Sequence, residues 1–92
     1  MLTIVVANVT PQDAAKHYAA AGVSGTAVLS IGFGAWGIEP GARIEFADPL
    51  EWDRARGATI ALLNARDEEC ALYAVPDDAS LLYADGRRES LA

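Results

Sequence analysis

Hydrophobic residues fall along this chain in two rhythms, and each predicts a kind of element. Leu2-Thr-Ile-Val-Val-Ala-Asn-Val9 is a β-branched run with apolar residues at odd and even positions alike. Such a run predicts a central strand covered on both faces. Thr10-Pro11-Gln12-Asp13 then carries the grammar of a helix start: Thr10 as N-cap, Pro11 at the first helical position, an acid at the third. The helix runs through Ala14, Ala15, Tyr18 and Ala21, with Gly22 placed to end it. Its apolar stripe is narrow and mostly alanine, which predicts close packing on a sheet with Tyr18 as the one large contact.

A second strand is predicted over Thr26 to Trp36, a turn at Ile38-Glu39-Pro40-Gly41, and a return strand over Ala42 to Phe46. In the return strand Ile44 and Phe46 share one face while Arg43 and Glu45 share the other, so one face is expected to be wet. Asp48-Pro49-Leu50-Glu51 repeats the helix-start pattern. Whether that helix passes Gly57 is open from the pattern: a stop at Arg56 would leave Ala58–Leu63 as a strand. The absence of a period-2 pattern in Thr59-Ile-Ala-Leu-Leu-Asn64 favours a helix continuing to about Arg66, although glycine costs it roughly 1 kcal/mol against alanine. Cys70–Val75 reads as a strand and Pro76–Ala79 as a turn. Leu81–Tyr83 then leads through the hairpin dipeptide Asp85-Gly86 into Arg87-Arg88-Glu89.

The expected architecture is a single α+β domain over residues 1–92. Its β-α-β-β-α-β succession is that of ferredoxin-like folds, with a C-terminal hairpin added. The alternative is a small mostly-β barrel with one or two short helices. Neither scaffold implies a function.

Gly32-Phe33-Gly34-Ala35-Trp36-Gly37 spells the G-x-G-x-x-G of dinucleotide sites. That motif works only where a helix opens from it and presents its N-terminus to a pyrophosphate. Here Pro40-Gly41 follows within a few residues, so the segment reads as a strand entering a hairpin. In a strand, Gly32 and Gly34 bare one face, either for the chain's own alanine-rich helix or for a partner or flat ligand.

Charge sharpens the picture. The net charge is −6, which argues against binding naked nucleic acid. Residues 1–46 carry two cations and three anions, whereas residues 47–92 carry five and ten. A charge-poor first half suits burial within the fold or against another chain. Arg outnumbers Lys six to one, a coding bias that points to a GC-rich bacterial or phage genome. One cysteine, no basic leader and no apolar run of membrane length set a cytoplasmic expectation.

The candidate chemistry is sparse. His17 lies one turn after Asp13 and could be oriented by it as a base, but no nucleophile motif accompanies the pair. Cys70 follows Asp67-Glu68-Glu69, whose carboxylates raise a thiol's pKa, and reads as a strand residue. The acids Asp67, Glu68, Glu69, Asp77, Asp78 and Asp85 lack the spacing of a calcium loop and read as solvated turns. Trp52 and Arg56, one turn apart, could stack. No catalytic residue, cofactor or metal is therefore expected.

The reading that follows is a small, acidic, non-enzymatic protein-interaction module: a regulator, inhibitor or accessory subunit that binds another protein or a second copy of itself as a homodimer. Its expected contacts are Phe33, Trp36 and Ile38 near the hairpin, with Trp52 as a second anchor. The alternatives are a small-molecule or nucleotide sensor using the glycine-bare face, and an acidic mimic of nucleic acid.

Overall fold

The computed structural model describes the backbone of residues 1–34 and 37–91 and the side chains of residues 1–30 and 39–91. Both helices form where the sequence places their signals. In α1 (Pro11–Ala20) the Thr10 hydroxyl accepts from the Asp13 amide at 3.1 Å. The C-terminal end closes as a Schellman motif: Val23 N–H donates to the Tyr18 carbonyl, Gly22 N–H donates to Ala19, and Gly22 sits at φ +76°. Asp48 caps a 3₁₀ turn, Pro49–Glu51, by accepting from the Leu50 amide at 3.0 Å. From that turn α2 (Trp52–Ala65) runs without a break through exposed Gly57. It ends in a second Schellman motif, Glu68 N–H to the Leu63 carbonyl, with Asp67 in the left-handed position at φ 54°.

Among the described residues six strands form one open antiparallel sheet: β1 (Leu2–Ala7), β2 (Thr26–Gly34), β3 (Gly37–Phe46), β4 (Cys70–Val75), β5 (Asp78–Tyr83) and β6 (Arg88–Ser90). Their order across the sheet is β2-β3-β1-β4-β5-β6. The class is α+β as expected, and β2 and β6 are the outer strands of an unclosed sheet and do not close a barrel. The hairpin dipeptide Asp85-Gly86 joins β5 to β6, with Gly86 at φ +91° and the Asp85 carboxylate accepting from the Arg87 amide at 3.0 Å.

Two expectations need correction. The turn predicted at Ile38–Gly41 lies within β3, which pairs with β2 continuously from Thr26↔Glu45 to Gly34↔Gly37. Pro40 is tolerated there because β1 has just ended, Ala7 being opposite Gly41. Pro40 contributes only its carbonyl, which accepts from the Asn8 amide at 2.8 Å. Gly41 is required for a different reason: an added Cβ would overlap the Val6 carbonyl oxygen. Residues 37–40 thus pair with β2 alone, and the β2–β3 hairpin forms an arm reaching past the sheet.

The second correction concerns β1, which is central but covered on one face only. Leu2, Ile4 and Val6 are fully buried, while Thr3, Val5 and Ala7 are half-buried. Both helices lie on the first face, α1 over β2 and β3, α2 over β4 and β5. The core between the layers joins Leu2, Ile4, Val6, Ile44, Phe46, Tyr73 and Leu82 from the sheet to Tyr18, Leu62 and Leu63 from the helices. Tyr18 is its largest fully buried side chain and packs edge-on to Phe46, ring centroids 5.1 Å apart. Its hydroxyl lies 2.6 Å from Thr59 Oγ1. The Thr59 hydroxyl donates onward to the Ala55 carbonyl at 2.8 Å, so Tyr18 is the donor of the pair. Burial disfavours the phenolate and pushes the Tyr18 hydroxyl up to about 12.

Candidate docking surface

Strand alternation puts every second residue of the sheet on the side away from the helices. The register aligns one row of them across all six strands: Val28, Arg43, Val5, Leu72, Leu81 and Glu89. A parallel row reads Thr26, Glu45, Thr3, Ala74 and Ala79. The middle strands, β1 and β4, contribute no charge to this face. Arg43 and Glu45 pair with each other at 3.5 Å at one side of it, and Glu89 lies at the other, accepting from the Tyr83 hydroxyl at 3.2 Å. The wet face predicted for β3 is therefore real, but it fringes an apolar centre. Among the described residues no element packs across it.

The centre is slightly concave. A hollow of about 320 Å³ is lined by Val5, Ala7, Ser30, Gly41, Leu72 and Leu81, with Glu39 and Cys70 among the other contributors. Partial burial pushes the Cys70 thiol up, and the Glu69 and Glu68 carboxylates push it further. A thiol held protonated is a poor nucleophile.

The glycine segment belongs to this side. The register sets Gly32 opposite Glu39 and Gly34 opposite Gly37, the same alternation as Ser30 and Val28. The face bared by these glycines is thus turned away from α1. Of the expected contacts, Trp36 lies outside the described residues, and so do the side chains of Phe33 and Ile38, whose backbones lie in the β2–β3 arm. Trp52 is half-buried against the core, and its indole N–H donates to the Phe46 carbonyl at 3.2 Å. It locks the start of α2 to the end of β3.

Other singled-out groups have partners within the fold. His17 Nε2 lies 2.7 Å from the Ala58 carbonyl, so that nitrogen carries the proton and ties α1 to α2. Asp13, expected beside His17, instead meets Arg66 at 3.2 Å. Glu68 accepts from the Asn8 side chain at 2.9 Å, and Asp78 meets Arg88 at 3.3 Å. Arg88 also donates to Ser80 at 3.2 Å and covers the Tyr73 ring at 4.7 Å. Among the described residues, no group of three or more His, Cys, Asp and Glu side chains converges to hold a metal ion. No helix among them is long and apolar enough to cross a membrane.

Sequence reasoning missed the apolar row itself. The available signal was the Arg43/Glu45 alternation, which marks a strand with one uncovered face. Compared with protein-family models, with curated proteins and with solved structures, the chain shows no significant match to any.

Proposed function

We propose that this protein is a small, non-enzymatic interaction module that acts by occupying the surface of another protein through the helix-free face of its sheet. The row Val28–Arg43–Val5–Leu72–Leu81–Glu89 carries the reading: its apolar centre is left uncovered by the chain's own helices and is fringed by charge. An apolar core with a polar rim is the anatomy of a protein interface. The β2–β3 arm rises from the same sheet and extends the contact. Regulation, inhibition or service as an accessory subunit are all roles such a surface can fill.

The test is complex formation with the partner that co-purifies from the source cell. Leu72→Glu combined with Leu81→Glu places two carboxylates in the centre of the face, where both residues are only half-buried. The expected result is a folded variant that no longer binds. A folded variant that retains the partner at parental affinity overturns the assignment.

The hollow supports a second reading, a site for a small apolar molecule, since its volume reaches the lower end of the range of ligand pockets. Glu39 among its lining disfavours a phosphorylated ligand. A thermal-shift screen separates the readings, because a ligand at 100 times its dissociation constant adds about 2.7 kcal/mol of stability.

A further inference from the structure

The two edges of the sheet are built differently. β6 is three residues long and carries Arg88 and Glu89. Short length and charge are the usual protections of an edge against strand pairing. β2, at the opposite edge, runs nine residues, Thr-Ala-Val-Leu-Ser-Ile-Gly-Phe-Gly, with no charge and no proline. It also keeps its register with β3 throughout, so no bulge turns it aside. The charge-free stretch extends well beyond it: none of the 21 residues from Tyr18 to Ile38 is Asp, Glu, Lys, Arg or His. Nothing in β2 opposes pairing with another strand.

The side chains at this edge agree. Leu29 alternates onto the helix side with Ala27, yet is 63% exposed. Val28, on the other face, is 38% exposed. An occupant must therefore offer a strand for the outward backbone groups and an apolar side chain to cover Leu29. A second copy of this chain offers both, and as an uncharged strand it meets no like-charge repulsion.

We propose that β2 is a self-pairing edge: two copies join their β2 strands antiparallel about a two-fold axis normal to the sheet. The product is one continuous twelve-stranded sheet with the helices of both copies on one side. A pairing centred near Leu29 sets that residue beside its symmetry mate, so that the two side chains cover each other. Such a pairing overlaps about seven residues of each strand, roughly 23 Å, and the shortest extent of the protein is 22 Å. The contact is then about 500 Å² per copy, which in total reaches the roughly 1,000 Å² expected of a specific interface. The centre of the helix-free face stays accessible in this dimer, and Val28 is where its row meets the edge.

Sedimentation equilibrium on the intact chain tests the proposal. The parent should move towards twice its 9.7 kDa mass as its concentration rises through the micromolar range. Val28→Lys with Leu29→Lys places cations on both faces of the edge and should weaken the dimer by about tenfold or more. Hydrogen exchange on the parent provides a measurement that needs no variant: amides within Thr26–Ser30 should gain protection as concentration rises. A parent monomeric throughout that range overturns the proposal. So does a dimer untouched by the lysines and broken by Leu72→Glu, which would place self-association on the sheet face. Loss of partner binding in the Leu72 and Leu81 variants with the dimer intact bears on the face alone.

Discussion

Replacing Tyr18 by phenylalanine should produce a stability difference that changes sign with pH. The hydroxyl is buried and donates to Thr59, so at neutral pH its removal costs one net hydrogen bond, about 1 kcal/mol. Its folded-state value is about 12, against 10.0 for an unperturbed tyrosine. Between these values the unfolded chain has lost the proton and the folded chain has kept it, so native stability falls as pH rises. The loss begins at the unfolded value, reaches roughly 1.4 kcal/mol at pH 11 and about 2 kcal/mol by pH 12. Phenylalanine has no such proton. The parent should therefore be the more stable protein at pH 8, match the variant between about pH 10 and 11, and be the less stable above that. Urea unfolding of both proteins at each pH measures the difference, and groups common to both, such as Tyr73 and Cys70, cancel in it. A difference that stays flat from pH 8 to pH 12 would refute the account of Tyr18 as a buried, neutral donor.

Four further outcomes are expected. Gly57→Ala, exposed in mid-helix with open space around the new methyl, should raise stability by about 1 kcal/mol in the same unfolding assay. Asp67→Gly should add about 0.5–1 kcal/mol, because it relieves a left-handed non-glycine residue at φ 54° and removes an anion from a helix C-terminus. Gly41→Ala should cost about 2–3 kcal/mol or abolish folding, since its methyl meets the Val6 backbone and not a yielding side chain. Cys70 should react with iodoacetamide near pH 8 more slowly than an unperturbed thiol, and Glu68→Gln with Glu69→Gln should speed it.

The elements with local causes were legible in the sequence. Thr10-Pro11, Asp48-Pro49 and Asp85-Gly86 each specify a cap or turn by their own chemistry, and each is found where it was read. Gly57 did not stop α2, because Ala58, Thr59, Leu62 and Leu63 beyond it bury one face in the core, which outweighs a single helix-propensity cost. Pro40-Gly41 misled because its meaning is tertiary. A proline is barred from a central strand, but here the neighbouring strand has already ended, and the glycine answers to the Val6 backbone and not to a turn. The run Leu2–Val9 misled similarly: apolar residues at alternate positions record a face kept free of charge, and say nothing of whether the chain covers it. Asp13 and His17 share a helix surface, yet contacts with α2 decide their partners. The docking surface was legible only as a deficit of charge in the first half, since its row combines residues up to 84 positions apart in the chain, Val5 to Glu89.

The place of β1 bears on how the molecule is made. It precedes both of its neighbours in the chain and lies in the middle of the sheet, pairing with Gly41–Phe46 on one side and Leu72–Ala74 on the other. An apolar strand therefore waits for its first partner until residues 41–46 follow it, and for its second until residues 72–74 do. The centre of the sheet is consequently governed by contacts distant in sequence, which slow folding. The two chain ends also differ in what they can lose. Trimming the C-terminus removes β6, a strand from the rim, whereas removing the first seven residues takes out the centre and leaves the β2–β3 hairpin with no sheet to join.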